Sequence, residues 1–496
     1  MTTTLDLPLY YRSATDLLHS LTTRQLSSET LMEATLARLE EVNSRVNAVV
    51  SFDREQALAA ARAADEQRER GDALGPLHGL PLTLKDTWEA PGFPCTAGAP
   101  ALRDYRPEQP ADVVRRLTDA GAIVVGKTNV PLYASDIQSY NKLFGHTCNP
   151  YDPERTSGGS SGGAAAALAA GITCLEVGSD LAGSIRTPAH FCGVFGHKPS
   201  RDLISLRGHI PGPPGSMTQP DLAEAGPMAR NTADLMLLLE VIAGPRPLDA
   251  RSWSLHLEPT SLNSLRQARV GLWLEDQHCP IDEELRHGYQ HFADTLRTQG
   301  ASVSDAKHPL LNLAKIMPVY FNLLGTLLST GMKPSQRRQM RWLGRLEPWL
   351  KHFATTTIGT GDYARGVSQA VHELAQRQEQ REKMRYQIEA LFQDIDVLLC
   401  PVTPTTAIPH DHSQPFFKRK IRVNGQARPY MDQFCWIALA TLLGLPATSV
   451  PIGRTREGLP YNVQVIGAPG MDLTTLRFSQ LLEEKGLAAF KPPTGY

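Results

Sequence analysis

Between Ser27 and Arg70 the apolar residues recur with the period of amphipathic helices. Leu31, Leu36, Leu39 and Val42 share one helical face, and Ser27 and Ser28 before them suit a capped start. A second helix is predicted over Glu55–Arg70, rich in alanine and charge. The pattern then changes. Leu80, Pro81, Leu82 and Leu84 form a short apolar run that reads as a buried strand ending at Lys85 and Asp86. Val113–Leu117 reads as helix and Ala122–Val125 as a short buried strand, the alternation expected of an α/β fold. Over Thr156–Ala169 four glycines surround two adjacent serines and an alanine-rich stretch follows, predicting a loop that runs into a tightly packed helix. From about Pro309 to Leu391 the chain is mainly helical. It carries Tyr320, Phe321, Trp342 and Trp349, with the tryptophans at a spacing that suits core positions, and the run Arg377–Arg385 suits a solvated helix face. No internal repeat is visible.

Composition narrows the class. With 496 residues, 41% of them hydrophobic, and a formal charge of −1, the chain can bury a large core and need not be disordered. No linker or charge block divides it, so one domain over 1–496 is expected, with a variable helical insertion at about 309–391 expected to shape the substrate entrance. The balanced charge gives no reason to expect nucleic acid or an anionic membrane as partner. Seven scattered cysteines argue against a disulfide framework and for a reducing compartment. No charged segment followed by an apolar one opens the chain, so the expected location is cytoplasmic. Cys192 reads as a small core residue. His410, Asp411 and His412 lack the i, i+4 spacing of a helical zinc site, and neither metal nor cofactor is expected.

Candidate chemistry lies in three short segments. Lys85 ends the apolar strand, Ser160 lies in TSGGSSGG and Ser184 in GSDLAGSIR. A serine hydroxyl attacks poorly unless a base takes its proton. Lysine can be that base only when neutral, which requires burial or unfavourable dipoles, since its ordinary pKa is about 10.4. Taken alone, Lys85 reads more simply as a strand-end lysine whose head reaches solvent. The Gly/Ser loop lacks the GKS or GKT ending of a phosphate-binding loop, and its alanine run is too short to span a bilayer. In the third segment, inward N–H groups of Leu181, Ala182, Gly183 and Ser184 would make an oxyanion hole, although the segment is also compatible with an ordinary tight turn.

Together these segments resemble the amidase signature family, and the resemblance extends over most of the chain. The run Leu36–Asn47 is similar to its N-terminal helix. GKTNVPLYAS from Gly126 and FGHTCNPYDP from Phe144 are similar to the lead-in to its Gly/Ser signature, and FCGVFGHKP from Phe191 to the segment after its nucleophile. DVLLCPVTP from Asp396, LGLPATSVPIG from Leu443 and GLPYNVQVIG from Gly458 resemble its C-terminal strands. The resemblance implies a mixed sheet of about 11 strands covered on both faces by helices. It implies a Lys–Ser–Ser triad in which Ser184 attacks, Ser160 relays the proton and Lys85 is the base. It further implies a cis peptide between Gly159 and Ser160 and a supporting hydrogen-bonding role for Ser161. Asp180 and Arg186 would hold the nucleophile loop as an ion pair, and Asp136 and Gln138 would touch substrate.

Some positions depart from the family pattern. Ala182 stands where glycine is usual and fits only with a negative φ, and Ser157 replaces a frequent proline. After Pro199 the usual turn gives way to SRDLISLRGHIPGPPG, expected to reshape the entrance. Three functions follow as expectations: a serine amidase cleaving a carboxamide or N-acyl amine, an amide-forming acyltransferase, and the glutaminase subunit of a tRNA-dependent amidotransferase. The expected partners are a small amide substrate, an amine acceptor if acyl transfer operates, and a second copy of the chain as a homodimer.

Overall fold

The computed structural model describes residues 7–350 and 356–496, with side chains described outside 343 and 345–350. Trp349 therefore lies outside the described side chains. Ser27 caps the helix Ser28–Val46 by accepting from the Thr30 N–H, and Asp53 caps Arg54–Arg70 in the same way. The strand Pro81–Lys85 is buried throughout, as its apolar run predicts.

Eight strands form the main sheet, in the order Ser302–Asp305, Arg269–Leu272, Val397–Pro401, Pro460–Ile466, Ala447–Arg454, Phe195–Lys198, Glu224–Ala229 and Leu175–Asp180. The first three run parallel and the rest pair antiparallel, so the sheet is mixed. Three further strands, Val49–Phe52, Ile123–Thr128 and Pro81–Lys85, form a separate ladder. The eleven strands are thus divided eight and three instead of sharing one hydrogen-bonded sheet.

Side chains close the seam between the two ladders. Thr83 and Thr128 both donate to Glu176 Oε1, at 3.1 and 2.7 Å, and Trp88 Nε1 donates to the Val177 carbonyl at 2.8 Å. The alanine-rich helix Gly162–Ala169 packs against strands of both ladders and is buried along its whole length. Only small residues allow this approach: a Cβ on Gly163 would lie 2.3 Å from the Asn129 nitrogen. The loop before this helix therefore opens at the seam.

The region 309–391 contains the helices Leu313–Leu328, Pro334–Leu350, Thr360–Gly366 and Val371–Ile388. Tyr320 and Phe321 are core residues, whereas Trp342 is 64% exposed and not a core residue. Arg381, within the run expected to be solvated, is buried and pairs with Asp221 at 2.7 Å. Arg381 thus docks on the segment before Glu224, while Gln378, Glu379, Gln380 and Lys383 of the same run are exposed. Among the described residues no helix is long and apolar enough to cross a membrane.

Candidate active site

Lys85, at the end of its strand, points into the seam and is 0% exposed. Its Nζ lies 2.7 Å from Ser160 Oγ and 2.9 Å from Ser179 Oγ. Burial lowers its pKa to about 7, against the opposing pull of the Asp180 and Glu176 charges. A lysine that would be charged in water is thus close to half neutral at neutral pH, the condition for a base. Ser160 follows a cis peptide from Gly159.

Ser179 continues the chain of contacts. His209 Nε2 lies 2.9 Å from Ser179 Oγ, and its ring packs edge-on to Trp88 with centroids 4.5 Å apart. Burial first, then the Lys85 and Lys127 charges, push the His209 pKa well below its ordinary value, so the imidazole is neutral. If Nδ1 carries the proton, Nε2 accepts from the Ser179 hydroxyl. Ser179 Oγ then accepts a Lys85 N–H, which leaves the single lone pair of the neutral amine available to Ser160. His209 belongs to the segment after Pro199 that departs from the family pattern. That segment therefore reaches the lysine, where the sequence suggested a change at the entrance.

The nucleophile loop is organised by Asp180. Its carboxylate accepts from the N–H groups of Gly183 and Ile185, at 2.9 and 3.1 Å, and from Arg186 Nη2 and Nε, at 2.8 and 3.0 Å. Both members of this ion pair are 0% exposed. Burial alone would raise the Asp180 pKa, but the Arg186 charge and hydrogen bonds, with Lys198, hold it at about 2. Arg186 also donates to Ile437 O, Gln464 Oε1 and Thr441 Oγ1, which ties the loop to the C-terminal part of the chain.

Of the four candidate oxyanion donors, the Gly183 N–H is engaged by Asp180. Among the described residues, the N–H groups of Leu181, Ala182 and Ser184 have no protein acceptor. Gly183 has φ +89°, whereas Ala182 does not adopt a left-handed backbone, so alanine is accommodated there. Ser184 is 8% exposed. Its carbonyl accepts from the Ser161 N–H at 3.2 Å, which links the two serine loops through backbone. No hydrogen bond joins the Ser160 and Ser184 hydroxyls among the described residues. Catalytic hydrogen bonds are often loose before substrate binds.

A family model described as Amidase matches residues 30–476. The chain belongs to the amidase family. A glutamyl-tRNA(Gln) amidotransferase subunit of Chloroflexus aurantiacus is 33% identical over 485 residues, 95% of this chain and 95% of that protein. Its counterpart in Moorella thermoacetica is 32% identical over 491 residues, 96% and 97% of the two chains. Among solved structures, a bacterial aryl acylamidase of the amidase signature family superposes with a TM-score of 0.77 at 25% identity, covering 96% of this chain and 97% of that one. Amide-bond chemistry is therefore the reaction class of this amidase-family enzyme.

The remaining sequence candidates fall into place around this core. Ser161 Oγ is buried without a partner, so its link to the site is through the backbone and not the hydroxyl. Asp136 accepts from Arg419 at 2.8 Å and from Tyr430 at 2.6 Å, and Gln138 is buried and bonded to Tyr430 and to the Asp411 peptide. Their polar atoms are hydrogen-bonded to protein. Cys192 is buried with its thiol pKa raised by desolvation, unsuited to act as a nucleophile.

Three residues near the lysine stand outside the sequence candidates, although Ser179 lies within the GSDLAGSIR segment itself. Ser179 and Glu176 sit on the strand leading into the nucleophile loop, and His209 is brought in from beyond the nucleophile segment. Tyr320, in the helical region expected to shape the substrate entrance, donates to the Leu181 carbonyl at 3.2 Å. The one signal for His209 is its place as the single histidine in the atypical segment. His410 and His412 lie beside His146 and Cys148, well away in sequence from the triad candidates.

Proposed function

We propose that this protein is a serine amidase that cleaves a carboxamide or N-acyl amine through an acyl-enzyme on Ser184. The observation that carries the reading is the buried Lys85, its pKa near 7, hydrogen-bonded at 2.7 Å to Ser160 beside the nucleophile loop. Ser184 Oγ attacks the carbonyl carbon as its proton passes to Ser160, while the Ser160 proton passes to Lys85. The oxyanion that forms is met by the free N–H groups of Leu181, Ala182 and Ser184. Each such donor is worth about 2.7–4 kcal/mol in the barrier. The C–N bond then breaks as Lys85 returns the proton through Ser160 to the leaving nitrogen, as microscopic reversibility requires. Water, activated by the same relay, releases the acid and regenerates Ser184.

His209 and Ser179 are positioning residues in this scheme, because they turn the neutral lysine's lone pair toward Ser160. The region 309–391 shapes the substrate entrance, a reading supported by the Tyr320 hydrogen bond to Leu181. All of this lies within one amidase domain over 1–496.

A second reading is favoured by the similarity to the Chloroflexus aurantiacus protein along 95% of both chains: a glutaminase supplying ammonia within an amidotransferase. Acyl transfer to an amine uses the same acyl-enzyme and differs only in the final acceptor. One experiment separates the three. The purified chain is incubated with anilides, primary amides and glutamine, with and without added amines. Amine release from anilides or simple amides supports the amidase, a new amide product supports acyl transfer, and turnover confined to glutamine supports the glutaminase. No turnover of any of these, with no covalent labelling by a fluorophosphonate, would sink all three.

A further inference from the structure

Two distant segments each carry a pair of ligand-type side chains two residues apart: His146 with Cys148, and His410 with His412. The fold brings them together. Gly145–His146 pairs with Tyr140–Asn141, and Cys148–Asn149 with Asp152–Thr156. Pro409 bridges Arg155, and the His410 N–H donates to the Glu154 carbonyl at 3.2 Å, which docks the second segment on the first. One ligand atom from each of His146, Cys148 and His410 consequently lies within 4.8 Å of the other two. Among the described residues no other group of three or more His, Cys, Asp or Glu side chains comes together as a candidate metal site.

The local chemistry points the same way. The His146 and His410 rings are 4.5 Å apart, and the His412 ring lies 5.5 and 5.4 Å from them. No ion pair joins these imidazoles to a carboxylate among the described residues, so charge pairing does not account for the cluster. His410 Nδ1 and His412 Nε2 are buried without hydrogen-bond partners. An unsatisfied buried polar atom costs about 1–3 kcal/mol, and a bound ion would remove that cost. His410 Nε2 faces the Pro153 carbonyl at 3.3 Å. That outer hydrogen bond is the one that fixes a metal-binding imidazole with its other nitrogen free. Of the seven cysteines Cys148 alone is not fully buried.

We propose that His146, Cys148 and His410 bind a zinc-class divalent ion through the Cys148 thiolate, His410 Nδ1 and an imidazole nitrogen of His146. His412 Nε2 or a water completes four-coordination. A mixed thiolate and imidazole set suits zinc. Zinc–ligand bonds of about 2.0–2.3 Å place tetrahedral nitrogen and sulfur ligand atoms roughly 3.3–3.6 Å apart. Atoms now as much as 4.8 Å apart therefore close by roughly 1.2–1.5 Å on binding. The exposed His146 is the side chain with room to move. Binding releases the thiol proton to solvent. The role is structural: the ion pins the segment carrying Asp411 to the segment carrying Cys148. Asp411 holds Gln138 through two hydrogen bonds, at 2.8 and 3.1 Å. The neighbouring Ser139 in turn receives the Gly162 N–H at the start of the alanine helix.

The test uses the full chain, stripped with chelator, desalted and titrated with cobalt and then zinc. Expected are one equivalent of cobalt per chain, a tetrahedral cobalt spectrum with a thiolate-to-cobalt charge-transfer band, and displacement by one equivalent of zinc. The band and the zinc-induced rise in Tm should both vanish in Cys148→Ser and in His410→Gln. Far-UV circular dichroism checks that these variants fold, and His146→Asn carries the same test if one does not. Binding only at large metal excess, no charge-transfer band, or a band that persists in Cys148→Ser overturns the proposal.

Discussion

Lys85 Nζ lies 2.7 Å from Ser160 Oγ, with the lysine wholly withdrawn from water. Burial brings the pKa of this lysine to about 7. The proton acceptor is the neutral amine, so the rate of acylation should rise as pH increases through about 7 and level off above it. A kcat/KM profile from pH 5 to 9, with a substrate whose own ionisation lies outside that range, measures this directly. A rate that falls with rising pH across 7 would show that Lys85 acts in its charged form.

His209 acts on the lysine through Ser179, and its contribution should be orientational. In His209→Leu, kcat should fall about tenfold, less than the roughly 10²–10⁴ lost with a direct general base, with KM nearly unchanged. His209→Asn, whose side-chain carbonyl can still accept from Ser179, should recover most of that loss. Equal losses in both variants would mean that the residue only fills space beside Trp88.

The ion pair between Asp180 and Arg186 holds the nucleophile loop, and removing one partner leaves a buried charge. Arg186→Met should therefore lose about 3–5 kcal/mol of unfolding free energy in a urea titration. The pH dependence has a definite sign. Asp180 has a pKa of about 2 in the folded protein against 3.8 ordinarily, so its contribution is fully present above 3.8 and is lost as pH falls through 2. Arg186→Met should flatten that acid limb of the stability curve.

Much of this arrangement is legible in the sequence because its signals are local. The capped helices starting at Ser28 and Arg54 and the strand ending at Lys85 follow from residue pattern. Lys85, Ser160 and Ser184 stand in segments whose composition already demands close packing. Contacts made across the fold are another matter. Ser179 looks like any strand serine until Lys85 and His209 are placed beside it, and PHDH gives no metal signal until His146 and Cys148 arrive from another segment. Asp136 and Gln138 look available for substrate in the sequence, but nothing local announces Arg419, Tyr430 and Asp411 as their partners. Trp342 sits at a core-like spacing, yet its side chain is exposed.

Ser161 offers a clean contrast between hydroxyl and backbone. Its Oγ is buried without a partner, while its N–H holds the Ser184 carbonyl. Ser161→Ala should leave stability unchanged or raise it by up to about 1 kcal/mol, because it removes an unpaired buried hydroxyl, and should keep activity within a few-fold, since the backbone link survives. A loss of two orders of magnitude would assign the hydroxyl a direct part in proton transfer.

The most direct test of the triad is covalent labelling with a fluorophosphonate, read by intact mass and peptide mapping in wild type, Lys85→Ala and Ser184→Ala. The predicted result is one adduct per chain, mapped to Ser184, absent in Ser184→Ala and formed at least 100-fold more slowly in Lys85→Ala, the lower bound of about 10² for loss of a general base. An adduct on another residue, or labelling of Ser184 at an unchanged rate without Lys85, would contradict the account.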